Sequence, residues 1–449
     1  MKWQAGWSAH CITPHEPLDL AGLGGGRCSQ SIVDDLHVKV IALRSGEQTL
    51  LLITFDLLWL SEELCSRVRE HVRTRFTIPP EQILISATHT HSGPLVRESV
   101  FDGTRHAHAY EQALLHDTTQ AIESAMTALR PVTIRYAHTP LEKAINRRRR
   151  VLSLSALKRF RFSYDIFNRP NPEGSNDPTL GVVHLRDRDG QSAYLINWAC
   201  HPTLLRGTDI SADFPGWIAP AIGQGGAEPF VLFQQGFSGN IRADVRRTLP
   251  HPGLSPVRWL ERLCDPIQFE KSTSLDHVKS LAGSIAASIR EITDWTPLDE
   301  GAISGDLLTV SLPMAPYPKH SELEKWVEQG DSVKAAWAKE TLDHYEERKT
   351  LTMRIQRLSL GSTLHWVGAE GELFADYALW LRQHYQTADG LLFPVGCCER
   401  TLGYIPTAVA IHEGGYEPLR SVVMYGLPCP FDPIIEEKIK EKMALLMTP

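Results

Sequence analysis

Two histidines one residue apart, His89 and His91, sit in the run Ile85-Ser86-Ala87-Thr88-His89-Thr90-His91-Ser92-Gly93-Pro94. An apolar, strand-like approach leads into them, and a Gly-Pro turn follows. Side chains alternate along an extended strand, so both imidazoles point to one side, where one can bind a metal while the other faces the same cavity. A pair of hydrogen-bonded loop histidines would give the same spacing. What else the chain carries therefore decides between the two readings. A second apolar run, Ala193 through Cys200, enters His201-Pro202, and proline's restricted backbone would hold that ring at a rim. A third run, Phe230 through Gln235, enters a glycine-rich turn at Gly236. Several polar strand ends are thus expected to meet on one edge.

The elements that must position these residues follow from the pattern of short apolar runs alternating with helical stretches, which predicts an α/β architecture. Residues 38–43 and 49–55 flank Ser45-Gly46-Glu47 and read as a strand pair ending at Asp56. Ser61-Glu62-Glu63 can cap a helix reaching about Phe76, and Pro79-Pro80 stops it before a strand at 83–85. Leu323, Trp326, Val327, Val333, Ala336, Trp337, Leu342 and Tyr345 recur at helical spacing, predicting two helices around Gly330. We read 1–449 as one domain with a helical insertion around 319–350, whose aromatics face the core or form a lid. Residues 434–447 read as a further amphipathic helix.

Composition narrows the class. The chain has 449 residues, with 46 Lys plus Arg against 53 Asp plus Glu and a net charge of -7, unlike a general nucleic-acid binder. The first seven residues lack the pattern of a signal peptide, and no stretch reaches the roughly 20 apolar residues of a membrane span, so a cytoplasmic location is expected. Eight cysteines, at 11, 28, 65, 200, 264, 397, 398 and 429, show neither zinc-finger nor disulfide spacing and read as reduced thiols. Cys200, beside His201, is expected to be buried and inert rather than nucleophilic.

Taken in order, Thr-His-Thr-His-Ser-Gly-Pro at 88–94, Asn146-Arg147, Asn197-Trp198 with His201-Pro202-Thr203, Gly239-Asn240, Gly371-Glu372 and Gly403-Tyr404-Ile405-Pro406-Thr407 resemble the neutral ceramidase superfamily. The resemblance spans nearly the whole chain and is strongest at 85–94, 196–216 and 400–426. It implies a large layered sheet-and-helix catalytic domain and a zinc ion held by two histidines, a glutamate and a tyrosine. The matching positions are His89, His201, Glu372 and Tyr404. Imidazole and carboxylate donors suit Zn²⁺, whereas oxygen alone would favour Mg²⁺ or Ca²⁺. The family's Pro-Gly-Glu is Glu370-Gly371-Glu372 here, which leaves Glu370 as an alternative ligand.

The resemblance also implies that His91 hydrogen-bonds substrate or water as the acid/base group, and that Arg147 binds or stabilises an oxyanion. The run Arg147 to Arg150, followed by Lys158, Arg159 and Arg161, reads equally as a solvated basic loop. Tyr416 matches a later tyrosine of the pattern and, with Gly239, Asn240 and Arg242, is a candidate substrate contact. Asp56 and Asp213 are candidates to support the ligands from behind, Asp213 by orienting His201. Asp213 could equally cap a helix beginning near Pro215.

One departure bears on substrate. Gly239-Asn240-Ile241-Arg242-Ala243-Asp244 occupies the place of the family's Gly-Asp/Asn-x-Ser-Pro-Asn turn, with Arg242 where the serine belongs. Ser238 lies four residues earlier and would need a different loop shape to replace it. The chain also ends about where the family's catalytic region ends, leaving no room for its C-terminal immunoglobulin-like domain. The expectation is a zinc hydrolase that uses metal-activated water on an amide or related acyl bond of a small polar substrate other than ceramide. Cleavage of an ester, lactone or carbohydrate derivative, or a catalytically silent metal-containing binding protein, are the alternatives. A homo-oligomer is compatible with the sequence.

Overall fold

The apolar runs become neighbouring strands. His37–Ser45 and Gln48–Phe55 pair antiparallel around a tight turn, and Gln48–Phe55 lies parallel to Ile83–Ala87. A parallel neighbour requires a crossover, and the helix Glu62–Phe76 supplies it. The Ser61 side chain accepts from the Leu64 N–H at its start, and Thr77 in the left-handed conformation ends it. The computed structural model describes residues 3–22, 27–96, 107–152, 164–249, 259, 265–330, 333–344 and 349–448.

Thirteen strands join in one mixed sheet. From one edge they run Phe230–Gln235, Ser192–Trp198, Thr179–Asp187, Arg130–Pro140, Gln4–Cys11, His37–Ser45, Gln48–Phe55, Ile83–Ala87, Leu391–Cys398, Leu364–Glu370, Thr350–Leu360 and Ile303–Pro313, with Thr296–Pro297 beside Arg130–Pro140. The sheet doubles back on itself. Ile41, Leu43, Leu52 and Leu84 from its middle share one core with Val183, Leu195 and Leu232 from one end and Trp366 and Phe393 from the other. Alternate residues face outward: Val38, Val40, Leu51 and Ile53 pack against the helices Glu62–Phe76 and Ala107–Thr127. On the opposite outer face, Val182, Ile196 and Phe233 meet the helices Phe214–Gly223 and Leu275–Arg290. Strands buried on both faces read as unbroken apolar runs, which is why their period is weak in the sequence.

Two features tie the doubled sheet together. The Trp366 indole N–H donates to Gln234 Oε1 at 2.9 Å while its ring stacks on Phe393, and Asn197 Nδ2 donates to the Pro394 carbonyl at 2.9 Å. In consequence the C-terminal ends of Ile83–Ala87, Ser192–Trp198 and Leu364–Glu370 come together on one side. That is where open α/β sheets place their ligands.

The two helices expected around Gly330 are His320–Glu328 and Val333–Asp343, between the strands Ile303–Pro313 and Thr350–Leu360. Trp326 and Trp337 pack at 5.7 Å, and the Trp337 indole N–H donates to the Leu427 carbonyl at 2.6 Å, so these aromatics dock the helices. Tyr345 lies outside the described residues, as do Lys158, Arg159 and Arg161 of the basic run. The helix Ile435–Met447 buries Ile435, Ile439, Met443 and Leu446 along one stripe. Among the described residues no helix is long and apolar enough to cross a membrane.

Trp366→Ala removes a fully buried ring and leaves Gln234 without its partner, so it should lower unfolding free energy by about 3–5 kcal/mol in urea titrations. A loss below about 1 kcal/mol would show that the two halves of the sheet do not depend on this contact.

Candidate metal centre

The Ile83–Ala87 strand stops two residues before His89, so the histidine pair does not lie on an extended strand as the spacing suggested. His89 has a φ of 69°, a left-handed conformation uncommon outside glycine. Backbone bonds hold it there: Thr88 N–H donates to the Phe55 carbonyl, His89 N–H to Leu57 and His91 N–H to Pro202. Both rings still turn into the same space. Ring centroids lie 5.1 Å apart for His89 and His91, 4.9 Å for His89 and His201, and 5.8 Å for His91 and His201. One ring nitrogen from each of the three buried histidines falls within 4.8 Å of the others.

Hydrogen bonding fixes which nitrogen that is. Nδ1 faces a backbone carbonyl in every ring: Leu58 for His89 at 2.8 Å, Gly22 for His91 at 3.0 Å and Ser238 for His201 at 2.8 Å. A carbonyl only accepts, so each Nδ1 carries the proton and each neutral ring presents an Nε2 lone pair. Glu372 Oε2 lies 2.9 Å from His201 Nε2 and 3.2 Å from His89 Nε2. These are acceptors facing acceptors. A proton or a metal ion between them is required to offset the repulsion, and Nε2 of both His89 and His91 is buried without a hydrogen-bond partner. Imidazoles held from behind by carbonyls, with a carboxylate opposite, fit a zinc ion.

The electrostatics agree. Burial, then the neighbouring rings, hold His91 well below its usual range, and burial with Arg147 pushes His201 down to about 4. On His89 the burial penalty is outweighed by Cys397 and Glu372, which hold it well above the usual range. Glu372 is buried, yet His89 and His201 hold its carboxyl well below the ordinary value. With no metal bound, the shared proton belongs to the pair formed by Glu372 and His89.

Two glycines permit the close approach. A Cβ on Gly22, whose φ is 95°, would lie 2.4 Å from His91 Nδ1, and one on Gly239 would lie 2.3 Å from the Glu372 carbonyl oxygen. Gly239 also accepts from Arg147 Nη2 at 2.8 Å through its carbonyl.

The remaining expected residues take different positions relative to this cluster. Glu370 faces away, held by Arg354 through its backbone N–H at 2.8 Å and its Nε at 2.9 Å, so Glu372 is the carboxylate that meets the histidines. Tyr404 stacks on His201 at 6.4 Å, and its hydroxyl accepts from Arg147 Nη2 at 2.9 Å. Arg147 and Arg148 are buried in the strand Ala144–Leu152 and share Glu417, which corrects the solvated-loop reading for both. Tyr416, 39% exposed, packs against Tyr404 at 5.9 Å and edges the site.

Other residues turn out to serve the backbone. Asp213 accepts from the N–H groups of Leu204, Leu205 and Phe214, pinning the loop after His201 and capping Phe214–Gly223; the Ser238 carbonyl is what orients His201. Burial raises the Asp213 carboxyl to about 6 despite these donors. Asp56 accepts from the His37 N–H at 3.0 Å, and its successors Leu57 and Leu58 supply the carbonyls that hold His89. Both ends of the Asn240 amide are used, accepting from the Ala375 N–H and donating to Asp376 at the start of the helix Ala375–Tyr385. The Ser238 hydroxyl accepts from Gln235 Nε2. Cys200 is fully buried, which raises its thiol well above the usual range. Arg242 pairs with His201 through the backbone, while its guanidinium lies 4.2 Å over the Phe269 ring; burial, with Arg206 and Arg147 nearby, lowers it to about 9.

Three neighbours carried no sequence signal we used. Tyr425 donates its hydroxyl to Glu372 Oε1, Glu417 neutralises the two arginines, and Cys397 lies against His89. Glu417 directly follows Tyr416 and was within reach of the same motif.

A neutral ceramidase from Pseudomonas aeruginosa superposes on this architecture with a TM-score of 0.69 at 16% identity, covering 100% of this chain and 74% of that one. The chain carries the neutral ceramidase fold. A ceramidase complexed with C2 gives the same TM-score at 14% identity, with 98% of this chain and 74% of that chain covered. No protein-family model matches the sequence. The ceramidase-like sheet accounts for the meeting of distant strand ends, and the three buried histidines form a metal-capable group on it.

Purified protein equilibrated with zinc and desalted should keep about one ion per chain by elemental analysis, and His89→Ala or Glu372→Gln should weaken retention by at least about 100-fold. Unchanged retention in both variants would place the ion elsewhere.

Proposed function

We propose that this protein is a zinc-dependent hydrolase acting on an amide or related acyl bond of a small polar substrate. The observation that carries this reading is the convergence of three backbone-pinned imidazoles, with Glu372 against those of His89 and His201. His89, His201 and Glu372 would hold the ion with Tyr404 as the fourth ligand. Bound zinc supplies Lewis acidity, both to a carbonyl oxygen and to water as a nucleophile.

The chain's own residues supply the rest. His91 is neutral, with Nδ1 anchored on Gly22 and Nε2 free, so it can take a proton from the attacking water and pass it to the leaving nitrogen. Arg147 is held by Glu417 and the Gly239 carbonyl, and its planar fork sits beside Tyr404, where it can stabilise charge developing on an acyl oxygen. Water adds its hydroxyl to the acyl carbon, the carbon–nitrogen bond breaks, and the amine leaves with the proton. Ceramide itself is not the expected substrate, because a buried arginine at position 242 replaces the family's serine and suits a polar ligand.

Turnover of a library of small amides and esters, with and without a chelator, tests the proposal. Activity should fall on chelation and return with zinc, and His91→Ala should lower kcat by about 10²–10⁴-fold while zinc is retained. Activity indifferent to chelation would remove the metal from the reaction. Full zinc occupancy with no turnover on any acyl compound would favour a silent binding protein.

A further inference from the structure

Four arginines are buried among the described residues, and three of them meet a carboxylate. Arg69 pairs with Glu399, and Arg147 and Arg148 share Glu417. Arg242, 5% exposed, has none. Its Nε is buried without a hydrogen-bond partner, and its guanidinium rests on the face of Phe269. The nearest acid along the chain, Asp244, is taken by Arg246 at 2.6 Å. A buried, uncompensated guanidinium is costly, and contact with one aromatic face recovers only part of that cost. Two more arginines, 147 and 206, add positive potential around it.

Position makes the missing counterion informative. Arg242 is paired through the backbone with His201, and its strand, Ile241–Ala243, pairs with Ala144–Leu152, which carries Arg147. The Arg242 backbone is therefore fixed beside the candidate centre, on rigid elements, and its guanidinium, near Arg147, keeps its planar donor fork unspent. We propose that Arg242 binds an oxyanion, a carboxylate or a phosphate-type group, carried by the substrate, so that this centre acts on anionic acyl compounds. That the anion belongs to a substrate rests on the hydrolase reading; the anion site itself does not.

Equilibrium binding by calorimetry separates the two. The probes are N-acetylglycine, its phosphonate analogue N-acetylaminomethylphosphonate, and the neutral N-acetylglycinamide, each titrated into zinc-loaded and chelated protein. The wild type should prefer at least one anion over the neutral amide by about tenfold or more in both states. The preferred anion then distinguishes carboxylate from phosphate. Arg242→Gln should bring that ratio close to one, and Arg242→Lys should restore part of it. Arg242→Gln should also melt at a higher temperature than the wild type, since it removes an unpaired buried charge, so loss of folding would not explain the result. An unchanged ratio in Arg242→Gln, or no anion preference in the wild type, overturns the proposal. Failure of the hydrolase reading would appear separately, as anion binding retained without turnover.

Discussion

Acceptor atoms pointed at one another with no donor between them are the constraint on which this structure turns. Nε2 of His201 and His89 approach the same carboxylate oxygen of Glu372 at 2.9 and 3.2 Å, and the ring flips that would relieve this are blocked by Nδ1 bonds to Ser238 and Leu58. Such an arrangement is stable only around a cation. Without a metal it must hold a proton, and Cys397 and Glu372 favour that proton on His89 despite its burial. Metal affinity, local order and pH are therefore coupled at this point.

The doubled sheet supplies the rigidity that makes the constraint possible. Each ligand follows a different strand end, and each strand is buried on both faces. Around the ligands lies a polar belt: Tyr425 on Glu372, Tyr404 on Arg147, and both Arg147 and Arg148 on Glu417. Buried ion pairs of this kind add little net stability, because desolvation offsets their attraction. Their contribution is position. They keep the Tyr404 oxygen and the Arg147 fork within one hydrogen-bonded network beside the histidines.

Much of this was legible in the sequence, and the limits have physical causes. His89 and His201 stood out because apolar strands ran straight into them, and Glu372 because Gly371-Glu372 matches the family's Gly-Glu. The helix caps at Ser61 and the turn at Gly46 carried their usual signatures. The left-handed twist at His89 did not show, because it is imposed by backbone bonds to residues 55 to 57, distant in the chain. The groups that orient the rings were invisible for a related reason: Leu58, Gly22 and Ser238 act through their carbonyls, which every residue has. Asp213 was ambiguous because a helix start and a catalytic site draw on the same residue types, and here a helix start claims it; Asn240, expected as a substrate contact, is likewise taken by a helix start. Tyr425 reaches the site from beyond the short helical turns at Tyr416–Arg420 and Ser421–Val423, a path only the fold determines.

Diffraction data collected across the zinc absorption edge, from crystals of the zinc-loaded protein, address the shared cation most directly. The expected result is a single anomalous peak at about 2.0–2.2 Å from Nε2 of His89, Nε2 of His201 and an oxygen of Glu372, with every Nδ1 still on its carbonyl. A peak reached through Nδ1 of a turned ring, or no peak at this point, would contradict it.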